Sequence, residues 1–371
     1  MATQGDGSAA KHLQLKKAVG PNMAYLCTAM EIGVLKAFID WKVFDHIPDH
    51  SQISSAGLAE KVGGQQELLD RTLPLLVATE ILTAPEPGCV AHTDRSRLYK
   101  SGQLGAGFLT HMHNLFIGSI AHFPAFLAAH GFSSPKDALV TPFGLAAGHP
   151  NQNVYDIIAA DAKLSKDFDS FVGRASKVFP MRGVYDLSWM LERTDTTSKF
   201  GRPLFVDIGG SNGHALWDIL QDHPWLPAER CVVFDRAPTI KETRANLDEG
   251  IKSIQLVAGS VLDTFPPSIQ GAMMFQLRRI LNDFPDDDVR KCWKSIREAA
   301  ASDTRVNVVE ELLQANRSAY AVAQDLSLML IGGKRRNAQM HADLAAEAGF
   351  ELSRTFPDTY NDCSVLEFVL A

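Results

Sequence analysis

The chain has 371 residues, 46% hydrophobic and 21% charged, with a formal net charge of −7; this is a globular composition, too long for one ordinary core. The acidic balance gives no electrostatic reason to bind nucleic acid or an anionic membrane, and favours small-molecule chemistry. Cys27, Cys89, Cys231, Cys292 and Cys363 are scattered without a CxxC pair, so neither a disulfide framework nor a metal site is expected.

Residues 1–11, MATQGDGSAAK, are small and polar and lack the apolar core of a signal peptide. They predict a disordered start and a cytoplasmic home. Residues 12–105 predict a helical, winged-helix-like dimerisation domain. LCTAMEIGVLKAFID carries apolar residues at helical spacing, two short helices flank a Gly-Gly break, and TAPEPGCVAHTDRSRLY supplies turns and an extended run. The second helix of that pair, QQELLDRTLPLLVATE, has one arginine against three acidic residues, a poor match to phosphate contact, so dimerisation is preferred to DNA binding. Residues 106–195 read as linking helices that cap a substrate pocket. The histidines and the proline in GAGFLTHMHNLFIGSIAHFPAFLAAHGF argue against a membrane span.

From residue 196 to 371 short β-branched runs alternate with helical segments, which predicts an α/β, Rossmann-like doubly wound sheet. VDIGGSNGHA ends a strand in a glycine turn that runs into a helix. Gly209 and Gly210 permit a tight turn and close ligand approach, Asp207 and Asn212 flank it, and the helix start presents free amides. The Gly-Gly-x-x-Gly spacing differs from the dinucleotide fingerprint. The next strand, CVVFDR, ends at Asp235, where a carboxylate is placed to accept ribose hydroxyls. Ser260 and Val261 follow the third strand, as candidates for an adenine pocket. LRRILNDFPDDD then follows the run GAMMFQ.

Together VDIGGSNG, FDRAP, GSVLDTFP, LRRILNDFPDDD, VVEELL, GGKRRN and AEAGFE resemble, in order and over nearly the whole chain, the class I S-adenosylmethionine-dependent O-methyltransferases of plant and fungal natural-product pathways. The resemblance implies that Asp207, Gly209, Gly210 and Asp235 surround S-adenosylmethionine, and that the chain is a homodimer acting on a small natural product; Asn212, Ser260, Val261 and Arg278 are further candidates for contact with the cofactor. Three departures matter. The family's Gly-Asp pair, whose aspartate sits by the adenine, is Gly259 and Ser260 here. The family motif I-L-H-D-W carries its general-base histidine where this chain has Asn282, and G-G-K-E-R-T carries a glutamate where this chain has Arg335; Glu310 keeps the family's other glutamate.

An asparagine takes no proton near neutral pH. The preferred expectation is therefore a pericyclase, as in some fungal members of the family, which closes a ring by orientation and polarisation and holds S-adenosylmethionine without consuming it. In that reading Lys334, Arg279, Asn282 and Arg335 supply donors, and His111 or His113 binds substrate oxygen or assists dehydration. Phe168, Phe171 and Phe179 are candidates for the pocket wall, with plain core packing as the alternative. The second expectation is an O-methyltransferase whose substrate ionises unaided or recruits one of the histidines, and the third is a silent binding subunit.

Overall fold

The computed structural model describes residues 6–178, 185–193, 195, 200–247, 249–315, 317–357 and 363–371. It divides into two compact units, Met1–Asn114 and Leu115–Ala371. In the first, a helix runs from Asp6 to Asp40, beginning inside the stretch expected to be disordered. Helices Ser55–Val62 and Gln66–Ala78 follow. Ser54 caps the former through Gly57 N–H, and Gly63 ends it at φ 66°, a left-handed turn that suits glycine. Strands β1 (Ile53–Ser54), β2 (Leu82–Thr83) and β3 (Cys89–His92) make a small antiparallel sheet in the order β1-β3-β2. Leu35, Phe38, Phe44, Leu58, Leu73, Leu76 and Ile81 form this unit's core.

The second unit is built on seven strands, β4 (Phe205–Ile208), β5 (Cys231–Asp235), β6 (Gln255–Ala258), β7 (Met274–Arg278), β8 (Arg305–Glu311), β9 (Phe350–Pro357) and β10 (Cys363–Leu370), in the order β6-β5-β4-β7-β8-β10-β9. β4 to β8 run parallel, and β10 inserts antiparallel between β8 and β9. The sheet is thus mixed rather than purely parallel, because the final two strand runs form a hairpin-like pair. β4 and most of β5 and β7 are buried on both faces, which explains why they read as unbroken apolar runs instead of alternating ones. The helix Asp286–Ala299 buries Val289, Cys292, Trp293 and Ile296 against the sheet. Three aspartates in its first turn oppose the positive end of the helix dipole.

The linking helices divide differently from the expected boundaries. Leu104–Met112 belongs to the first unit, whereas Gly118–His130, Pro142–Ala146, Val154–Ala160 and Ala162–Val178 belong with the sheet. The physical reason is a shared core: Leu115, Phe143, Val154, Ile157 and Ile158 pack with Ile331 from the far end of the chain.

Candidate functional site

The carboxyl ends of β4, β5 and β7 meet at the glycine turn. Gly209 leaves β4 at φ 70°, its N–H donates to Phe234 O at 2.7 Å, and a Cβ there would collide with the Ile280 side chain. A Cβ on Gly210 would stand 2.8 Å from Asp207 Oδ2. Both positions therefore need glycine for close approach. Asn212 is exposed, and its Oδ1 accepts the His214 N–H (3.2 Å) at the start of the helix His214–Asp222.

Asp207 is buried in β4, opposite Gln276 of β7. Gln276 Nε2 donates to its Oδ1 at 3.1 Å, while among the described residues its buried Oδ2 has no hydrogen-bond partner. Burial pushes this carboxyl up to about 6, against the opposing pull of Gln276 and Arg278. An orphaned buried oxygen beside a glycine turn is a vacancy for a donor. At the end of β5 the Asp235 carboxylate accepts Ser211 N–H on Oδ2 (2.9 Å) and Arg236 N–H on Oδ1 (2.7 Å), and so anchors the glycine loop. Burial raises its pKa, partly offset by those amides. Ser260 Oγ accepts Leu262 N–H at 3.1 Å, and Val261 packs on the main core. Arg278 sits at the end of β7, with its pKa lowered by burial and by the neighbouring Arg279.

After β7, Leu281–Asp283 forms a single 3-10 turn. Glu310 of β8 reaches it from the sheet: its Oε1 accepts Leu281 N–H (3.0 Å) and Asn282 N–H (3.3 Å). Burial, then the nearby Asp283, pushes Glu310 up to about 8, so it holds a proton at neutral pH. Its Oε2 and the Asn282 Oδ1 are both buried without a hydrogen-bond partner among the described residues. From the other side, Lys334 N–H donates to Asn282 O at 2.8 Å. Arg336, 1% exposed, donates to Leu281 O and Phe284 O at 2.8 Å each. Tyr155 Oη, on the helix Val154–Ala160, donates to Asp283 Oδ2.

The expected polarising cations are all engaged. Arg279 adopts φ 55° and donates to Glu311 Oε1 at 2.7 Å; Arg335 donates to the other oxygen, Oε2. Lys334 Nζ pairs with Asp286 Oδ2 at 2.7 Å, its side chain 42% exposed. Glu310 and Glu311, adjacent on β8, thus serve two different clusters. His111 ends the helix Leu104–Met112 and His113 opens the π-helical turn His113–Ile117, both in the first unit; burial pushes His111 down to about 4, leaving it neutral at pH 7. Phe168 packs edge-on to Tyr155 with centroids 6.2 Å apart. Phe171 is half-buried on the same helix, and Phe179 lies outside the described residues. Sequence reasoning missed Tyr155, Asp283, Arg336, Glu311 and Gln276. Only Gln276, a polar residue inside an apolar strand run, carries a local signal.

Two family models match the chain: the O-methyltransferase dimerisation domain over residues 23–110 and the O-methyltransferase domain over residues 144–351. The chain belongs to the O-methyltransferase family. Among its relatives are the proteins described as methyltransferase phm5 of Pyrenochaetopsis sp, 37% identical over 94% of this chain and 95% of the relative, and methyltransferase eqxD of Fusarium heterosporum, 34% identical over 95% and 96%. In fold it resembles OxaC in its complex with SAH and oxaline, with a TM-score of 0.86 at 21% identity covering 98% of this chain and 91% of OxaC. It also resembles LepI in its complex with SAM, with a TM-score of 0.79 at 21% identity covering 100% and 95%.

The cofactor of this methyltransferase-fold enzyme is S-adenosylmethionine. Its residues fit that group. The orphaned Asp207 Oδ2 lies beside a turn that only glycine can make, and Asp235 keeps acceptor capacity beyond the two amides it already binds.

Proposed function

We propose that the enzyme is a methyltransferase acting on a small natural product whose nucleophile is an acidic O–H or N–H group. The observation that carries this reading is the engagement of the cations. Arg279 and Arg335 share Glu311, and Lys334 pairs with Asp286, so the charges that a base-free ring closure requires are already neutralised by protein carboxylates. The relatives at 34–37% identity, named as methyltransferases, support the same reading.

When bound, S-adenosylmethionine supplies an electrophilic methyl group on a positive sulfur. Asp207, the glycine turn and Asp235 hold and orient it; the turn at Asn282 and its neighbours positions the acceptor. Proximity of this kind supplies a large part of a methyl transfer's acceleration.

The pericyclase reading, the first expectation from the sequence, moves to second here and is favoured by one observation: Asn282 stands where the family pattern has an imidazole, and its buried Oδ1 is unsatisfied among the described residues. One experiment separates the two. The protein is incubated with polyketide-amide intermediates and methyl-labelled S-adenosylmethionine, and label and product mass are followed together. Label in a product heavier by one methyl group supports methyl transfer. Isomerised product with no label overturns it in favour of ring closure.

We also read the chain as a homodimer. Val19, Met23, Tyr25, Leu26 and Met30 on the first helix expose their apolar side chains, within or beside the matched dimerisation domain. That helix, from Val19 to Asp40, is long and apolar enough to cross a membrane by length and composition alone. Light scattering at micromolar concentration, without detergent, distinguishes a dimer from an aggregate or a monomer.

A further inference from the structure

If methyl is transferred to an acidic group, the proton must go somewhere, and neither residue of the expected pair can take it. Asn282 has no basic atom. Glu310 is 1% exposed, is held by two backbone amides, and keeps its own proton at neutral pH. Asp283 differs from both. It stands on the same 3-10 turn, next to Asn282, as a half-buried residue. Among the described residues its carboxylate receives one hydrogen bond, from Tyr155 Oη to Oδ2, so Oδ1 is left for another partner.

The surroundings of Tyr155 make this contact specific. Its ring packs edge-on against Phe168 on one side and lies under the Arg236 guanidinium, 4.9 Å from the centroid, on the other. Arg236 N–H in turn binds Asp235, the carboxylate that anchors the glycine loop. The Tyr155 hydroxyl is therefore fixed between the cofactor strand end and the Asn282 turn by side chains from two other elements. A hydroxyl held this way acts on Asp283 as a fixed donor rather than a swinging one.

We propose that Asp283 is the general base of this enzyme, accepting the substrate proton on Oδ1, and that Tyr155 is its positioning residue. This assignment rests on the methyl-transfer reading above. The acceptor X–H gives its proton to the Asp283 carboxylate, and the electron pair left on X forms the X–CH3 bond as the methyl–sulfur bond breaks. The demethylated cofactor leaves neutral at sulfur, and the proton passes from Asp283 to solvent.

The charged groups around Asp283 give the assignment a pH signature. Burial pushes its carboxyl up to about 6, whereas the Tyr155 hydrogen bond and the Arg279 guanidinium pull it down; Glu310 lies close by on β8, and Arg236 and Asp235 stand behind Tyr155. A base of that strength is ionised at pH 7 and close enough to neutrality to be effective. Loss of the Tyr155 hydroxyl removes a group that favours the carboxylate, so the carboxyl should move upward.

Three proteins test this: wild type, Asp283→Asn and Tyr155→Phe. Methyl transfer is measured from pH 5 to 9 on the acceptor that takes label in the experiment above. Independently, the protonated-carboxyl stretch is titrated by infrared difference spectroscopy in the protein without cofactor. Asp283→Asn should bind S-adenosylmethionine as wild type does by calorimetry and lose about 100-fold or more in rate, the usual worth of a general base. It should also lose one carboxyl signal titrating near 6. Tyr155→Phe should retain that signal but move it, together with the acid limb of the rate profile, to higher pH. Transfer by Asp283→Asn within a few fold of wild type, or an unmoved acid limb in Tyr155→Phe, overturns the assignment while leaving methyl transfer intact. Absence of labelled product from wild type defeats the methyl-transfer reading itself, and the base assignment with it.

Discussion

Arg336 is the sharpest place to test whether the Asn282 turn is held as described. Its guanidinium is 0% exposed and makes bonds to Leu281 O and Phe284 O (2.8 Å each), to Lys334 O (3.2 Å), and two to Asp286 Oδ1 (2.9 and 2.6 Å). Arg336→Met keeps much of the volume and deletes every donor. The Asp286 share must be discounted, because that carboxylate is 36% exposed and keeps Lys334. What remains is the buried Phe284 O left without its donor, at about 1–3 kcal/mol, and Leu281 O reduced to the long Phe284 N–H bond at 3.3 Å. The expected loss is therefore about 3 kcal/mol, with about 5 kcal/mol as the limit for breaking a buried ionic contact outright. Since the chain has two compact units and global unfolding need not be two-state, the assay is amide exchange of residues 281–284 read beside thermal unfolding. Arg336→Lys should recover only part of the loss, since one compact ammonium cannot span the separate positions that Nε, Nη1 and Nη2 reach. Wild-type exchange at the turn in Arg336→Met, or a loss below about 1 kcal/mol, would show that the turn is held by something else.

Three further outcomes follow from the same geometry. Gly209→Ala places a Cβ at φ 70° against Ile280 and should weaken S-adenosylmethionine binding at least tenfold by calorimetry; adding Ile280→Ala, which removes both Cδ1 and Cγ1, should restore the steric part but not the backbone part, which is about 1–2 kcal/mol. Asp235→Ala removes the acceptor of Ser211 N–H and Arg236 N–H and should abolish measurable cofactor binding, so unchanged affinity would refute the cradle. Glu310 is raised from 4.5 to about 8, so the folded state binds the extra proton. That contribution is complete below about 4.5 and disappears as pH rises through 8. The fall in melting temperature of wild type across that window should be shallower in Glu310→Gln, and parallel curves would contradict the assignment.

The glycine turn and the acidic strand end, proposed to hold the cofactor, were legible as structural features because they are local. The turn VDIGGSNG and the strand end at Asp235 each fall within a few residues, and strands buried on both faces announce themselves as apolar runs. The reaction half is assembled over distance. Tyr155 meets Asp283 across 128 positions, a pairing that no periodicity encodes. The arginines of GGKRRN were legible as charges, but not their partners: Arg335 turns to Glu311, while Arg336 turns inward to the backbone carbonyls. Strand alternation sends Glu310 and Glu311 to opposite faces, and which face lay toward the Asn282 turn depended on the order of β7 and β8 in the sheet.

The order of the strands also divides the enzyme into exchangeable parts. β4, β5 and β6 with their loops are contiguous between residues 205 and 263, whereas the Asn282 turn, the Glu310–Glu311 pair and Lys334 to Arg336 all come after residue 273. A chimera joined between residues 265 and 273 would receive its cofactor cradle from one parent and its acceptor chemistry from another. Three contacts at the site described above must survive the join. Gln276 has to match Asp207 at 3.1 Å, the side chain at 280 has to leave room for the bare Cα of Gly209, and Tyr155 has to meet Asp283. A library that fixes these three pairs and varies the rest lets recombination explore new acceptors without dismantling the donor site.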